Sequence, residues 1–114
     1  MSDSRIQRTI EELMELLANG KYAEIESLTS GTRMSREEIA TAVAEYGRTI
    51  IVPPTDAYEL LDAIEVAAAP SRTWSVTMPL WTEEEGRSDL TMELTMVERF
   101  DDVFTVELDN LHVL

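Results

Sequence analysis

The spacing of apolar residues changes once along this chain, at about residue 62. Before that point they recur with a helical period. Ile6, Ile10, Leu13, Met14 and Leu17 form one stripe, which predicts a helix over about 4–19. Asn19-Gly20 supplies its stop, because glycine accepts the left-handed geometry that ends helices. Tyr22, Ile25 and Leu28 predict a second helix over about 21–28, ended by Thr29-Ser30-Gly31. Ser35 and Glu38 have the spacing of a capping box, in which each side chain satisfies the other residue's backbone N–H. A third helix over about 35–46 follows, with Ile39, Ala42, Val43 and Tyr46 on its buried face and Gly47 at its end. The stretch 48–61 admits two readings. Thr49–Val52 is a short β-like run stopped by Pro53-Pro54, and 55–61 reads as a helical turn capped by Thr55 or Asp56.

Beyond residue 62 the period is two. Ile64, Val66 and Ala68 alternate with Ala63, Glu65 and Ala67, and the same alternation runs through Trp74–Leu80, Leu90–Met96 and Phe104–Leu108. Four strands are predicted, over about 62–69, 73–81, 89–99 and 103–110, all with their apolar sets at even numbers. A one-residue slip would turn every side chain to the other face, so antiparallel partners should have numbers that add to an even value. Turns at Pro70-Ser71-Arg72, at Glu83–Gly86 and at Phe100-Asp101-Asp102 place those values near 142, 170 and 202, the last with Asp102 left-handed. Val66, Val76, Leu94 and Leu108 then form one core layer, and Ala68, Trp74, Met96 and Val106 the next. On the other face Glu65, Thr77, Glu93 and Asp109 should form a row, beside Ala67, Ser75, Thr95 and Glu107, with Glu93 and Asp109 opposed as like charges. The expected architecture is a single α+β domain spanning 1–114, three N-terminal helices packed on one face of a bent four-stranded antiparallel meander.

Composition narrows the chemistry. With 114 residues, area scaling leaves about 6,300 Å² exposed of about 18,700 Å² in the unfolded chain, enough burial for one core without staples. There is no cysteine, so thiolate metal sites, redox pairs and Cys nucleophiles are excluded. The six methionines sit largely at core positions and read as packing. The N-terminus lacks the apolar region of a signal peptide and no stretch has the length of a membrane span, which predicts a cytoplasmic, bacterial-type protein without a membrane partner.

The net charge is −14, and it is uneven: −4 over residues 1–57 and −10 over 58–114. Such a field repels nucleic acid and attracts cationic partners; its plainer reading is solubility. Glycine-rich phosphate loops, nucleophile elbows, zinc-helix motifs and calcium loops are all missing, so no catalytic residue, metal or cofactor is predicted.

The segment Trp74-Ser-Val-Thr-Met-Pro-Leu-Trp81-Thr-Glu-Glu-Glu-Gly-Arg87-Ser-Asp89-Leu-Thr91 resembles a small bacterial family of domains of unknown function. The ending Asp109-Asn-Leu111-His112-Val-Leu114 is similar to that family's D-D-L-H-V-L close, with Asn110 in place of Asp. The resemblance covers the last forty or so residues and implies no activity. The element order also resembles the cone-shaped folds of the nuclear-transport-factor-2 and cystatin type.

Two sets of candidate residues follow. Glu65, Glu93, Glu107 and Asp109 on the acidic face, with Trp81, Arg87 and Asp89 at the hairpin loop, would meet a basic protein partner. In that loop Arg87 would clamp an anion, Asp89 accept a hydrogen bond and Trp81 form a wall; the plainer reading is a loop balanced by its own acids. Tyr58, Asp62, Trp74 and His112 would instead line an interior pocket for a small molecule, as in lyases or isomerases of the cone-shaped class. His112, the only histidine, would face the helices and serve proton transfer there, or fill a structural role. The leading expectation is a non-enzymatic interaction domain, immunity- or inhibitor-like toward a basic partner. The alternative is the small-molecule pocket, and a homodimer pairing sheet faces is the third reading.

Overall fold

A computed structural model describes residues 4–29, 33–99 and 103–113. The Ser30-Gly31 part of the second helix's stop and the Phe100-Asp101-Asp102 turn lie outside the described residues. Helix α1 (Ser4–Ala18) buries Ile6, Ile10, Leu13, Met14 and Leu17. It ends at Gly20, whose φ of 68° lets the N–H of Lys21 return to Leu16 O at 2.9 Å. Helix α2 (Tyr22–Leu28) is short and has no side-chain cap. Helix α3 (Arg36–Tyr46) starts at the capping box: Ser35 Oγ accepts the Glu38 N–H at 3.1 Å, and Glu38 Oε1 accepts the Ser35 N–H at 2.9 Å. Gly47, with φ 73°, closes it.

Among the described residues the sheet is antiparallel and has five strands, one more than the pattern predicts: β1 (Ile50–Ile51), β2 (Asp62–Glu65), β3 (Thr73–Thr82), β4 (Gly86–Glu98) and β5 (Phe104–Val113). β1 and β2 share one edge of β3, β1 against Trp81 and Thr82, β2 against Trp74–Thr77. Between them Thr55–Leu60 forms a 3-10 helix entered from Pro54, and neither Thr55 nor Asp56 caps it. Residues 48–61 thus hold both a strand and a helical turn. Helices followed by an antiparallel sheet make this an α+β fold. The apolar sides of the helices and the even positions of β3 and β4 join in one cluster.

Register separates what alternation predicts from what the chain does. Pairs adding to 170 run from Thr73–Val97 to Pro79–Thr91, and pairs adding to 202 from Leu94–Leu108 to Glu98–Phe104. Both ladders then shift. In β4 the extra residues gather at Ser88, whose hydroxyl donates to Leu80 O at 2.8 Å and accepts the Leu90 N–H at 3.2 Å, filling the bulge. Trp81 consequently faces Arg87, not Asp89. In β5 Asp109 is the extra residue, so Glu93 faces Asn110 and the like-charge pair does not form. The same bulge turns Leu111 into the core and His112 to the outer face, opposite Thr91, reversing the orientation expected from its even number.

β2 departs furthest. Its partners add to 139 rather than 142, so Ala63 meets Val76 while Ile64 meets Ser75 and is 60% exposed. Val66 and Ala68 leave the core layers for a surface loop, and the outer row is Asp62, Thr77, Glu93 and Asn110 in place of one containing Glu65 and Asp109. Seven residues separate Glu65 from Thr73, and within them Ala68 has φ 61°. A Cβ at that backbone angle costs roughly 1–2 kcal/mol. Ala68→Gly is therefore expected to stabilise the fold by about 1 kcal/mol, less the added freedom of the unfolded chain. The rise should appear as a higher urea midpoint with an unchanged slope.

Candidate functional site

The four residues expected to line an interior pocket do not converge. Trp74 is in the core at 8% exposure, with the Arg72 guanidinium 5.3 Å over its ring and Glu65 3.4 Å from that guanidinium. Asp62 is exposed on β2, opposite Thr77. Tyr58 is half-buried in the 3-10 helix, where burial first and the Glu11 charge second push its hydroxyl above the usual phenol range. His112 is turned to the outer side of β5, at the margin of a depression beside α3, with its Nε2 2.9 Å from Glu93 Oε1 in a contact poorly aligned for a hydrogen bond. The space between helices and sheet holds fully buried side chains, with Ile6, Ile10 and Met14 from α1 in one core cluster with Met78, Met92 and Met96.

The acids of the sheet face are held by partners within the chain. Thr95 Oγ1 donates to Asp109 Oδ2 at 2.6 Å, and Arg33 Nε stands 3.7 Å from Glu107 and 3.8 Å from Asp109. The acidic hairpin loop is likewise engaged. Glu84 accepts both the N–H and the hydroxyl of Thr49 at 2.8 Å, and the backbone donor is the main reason its carboxyl is held below the usual range. Glu85 accepts from Tyr46 Oη at 2.9 Å and from Thr82 Oγ1 at 3.0 Å. Tyr46 Oη also accepts the Asp89 N–H at 3.3 Å. The loop therefore fastens the hairpin to the end of α3. Arg87 is exposed beside Trp81 and, among the described residues, belongs to no ion pair.

Two exposed carboxylates without partners among the described residues border a groove between α3 and β5. One part, of about 350 Å³, runs past Glu37, Thr41, Asn110 and Leu111. It continues across Ala42 and Glu45 into a depression of about 330 Å³ that reaches Tyr46, Leu90 and Val113. Met34, Ala42, Leu90 and Leu111 give it an apolar floor. Its rim is acidic. Glu38 is committed to the capping box, but Glu37 and Glu45 make no hydrogen bond or ion pair among the described residues. Arg36, the cation next to Glu37 in the sequence, is drawn away to α2, where Glu26 accepts its N–H at 2.9 Å and its Nε–H at 3.0 Å. Those donors, the backbone one foremost, hold the Glu26 carboxyl below its ordinary value.

Sequence reasoning missed Glu37, Thr41 and Glu45. The signal was present in their four-residue spacing, which sets them on one helical stripe. A second signal was the thin apolar face of α3, which buries only Ile39 completely and leaves Ala42, Val43 and Tyr46 half-covered.

Among the described residues no helix is long and apolar enough to cross a membrane, and no group of three His, Asp or Glu side chains is placed to share a metal ion. No curated protein and no solved structure matches the chain. One family model does match, over residues 14–114, which take in the last part of α1 and every later element. The chain belongs to the family described as a domain of unknown function, DUF7668.

Proposed function

We propose that this domain is a non-enzymatic interaction module that binds a cationic segment of a protein partner in the α3–β5 groove. The carrying observation is the pairing of an apolar floor with two rim carboxylates, Glu37 and Glu45, that have no partner within the described chain. A net charge of −14 adds long-range attraction for such a partner and speeds its encounter. An inhibitor-like or immunity-like role, covering the basic active site of a toxin or nuclease, is the form of this function that suits the charge best. The outer sheet face is a weaker candidate, because Glu107 and Asp109 already have intramolecular partners.

The test is titration of an amphipathic lysine-containing peptide against the wild-type domain and the Glu37→Gln/Glu45→Gln variant. Exposed charge pairs contribute about 0.5 kcal/mol each, so the double substitution is expected to weaken binding about fivefold. The difference should shrink as salt rises, because exposed pairs are screened. Equal affinity of the two proteins at low salt would remove the groove from consideration.

A further inference from the structure

We infer that the occupant of the α3–β5 groove is an amphipathic helix of the partner, lying alongside α3 and carrying two Lys or Arg side chains about two turns apart. The inference rests on the docking function proposed above and specifies what docks.

Three observations carry it. The first concerns spacing. Glu37 and Glu45 are eight residues apart on one stripe, so their Cα atoms are separated by about 12 Å along the axis of α3. A helix packed alongside presents side chains at i and i+7 or i+8 over the same distance, and can offer one cation to each carboxylate.

The second concerns the floor. Helices pack side by side at about 8–10 Å between axes. The groove runs from Met34 beside the start of α3 to Leu90 and Tyr46 at its end, with Ala42 and Leu111 between them. Apolar residues at i+3 and i+4 of the docked helix, between its two cations, would cover Ala42 and Leu111. They would complete the burial that α3 lacks.

The third concerns the alternative of an extended segment added to the edge of β5. That mode depends on a regular run of free backbone donors and acceptors. Here the N–H of Leu111 is already taken by Asn110 Oδ1 at 2.9 Å, and the extra residue Asp109 breaks the ladder beside it. Bulges and occupied donors are how edge strands resist further pairing. A second copy of this chain fits no better, since its own acidic stripe would meet Glu37 and Glu45 as like charges.

Three peptides of identical net charge and about 15 residues, close to four helical turns, distinguish the outcomes. One forms an amphipathic helix with lysines at i and i+7 flanking its apolar stripe. In another, a central proline breaks the helix. The last keeps the helix but moves the lysines to the opposite face. Affinities are read by fluorescence anisotropy at low and high salt, with wild type and with Glu37→Gln/Glu45→Gln, and circular dichroism confirms that the variant is folded. The helix with flanking lysines is expected to bind about tenfold tighter than either other peptide and to lose most of that advantage in the variant. Equal binding of the proline-broken peptide, still sensitive to Glu37→Gln/Glu45→Gln, would overturn the helical occupant and leave the cationic groove standing. Binding indifferent to the substitutions, or no binding by any peptide, would overturn both.

Discussion

A chain lacking residues 1–13 is expected not to fold, although the family match begins only at Met14. The missing segment carries the first turns of α1, and with them Ile6, Ile10 and Leu13, which are among the most completely buried side chains of the protein. Truncating one such side chain to alanine costs about 2–5 kcal/mol. Three together reach roughly 6–15 kcal/mol, the whole stability of an ordinary domain at about 5–15 kcal/mol. The deletion also removes Arg5, which pairs with Glu98 at 2.6 Å and lies 4.8 Å over the Phe104 ring, joining α1 to the β4–β5 hairpin. The check is urea unfolding followed by far-ultraviolet circular dichroism. The shortened chain should show no cooperative transition, while the single substitution Ile6→Ala should keep one at a lower midpoint. A cooperative transition of normal slope in the shortened chain would mean that α2, α3 and the sheet close their own core.

The second large effect is a contrast between two aliphatic residues that strict alternation treats alike. Leu94→Ala is expected to cost about 2–5 kcal/mol, because Leu94 is sealed in the central layer between Val76 and Leu108. Ile64→Ala should stay within about 0.5 kcal/mol of wild type, since the Ile64 side chain lies on the outer face opposite Ser75. If β2 kept the parity of the other strands, Ile64 would be buried and its truncation would cost about as much as that of Leu94. Denaturant midpoints of the two variants therefore report the register of β2 directly. A large loss from Ile64→Ala would restore the 142 register and return Val66 to the core.

Local rules account for one part of the fold. The helical stripe from Ile6 to Leu17, the Ser35–Glu38 box and the change of period near residue 62 need no distant partner, and together they define an α+β chain. Long alternating runs in β3 and β4 determined their register over most of its length, because a slip there would expose an entire apolar face. The tertiary structure decided the rest. β2 is four residues long and has Ile64 as its one large apolar side chain, so little apolar surface enforces its parity. The bulges at Ser88 and Asp109 interrupt ladders whose alternation is otherwise regular. They moved His112 outward, brought Arg87 to Trp81 and relieved the expected opposition of Glu93 and Asp109. The candidate site belongs to this second class. Glu37 and Glu45 look like ordinary solvated helix charges until β5 is laid beside α3, because an acidic rim acquires meaning only from the apolar floor that a distant strand provides.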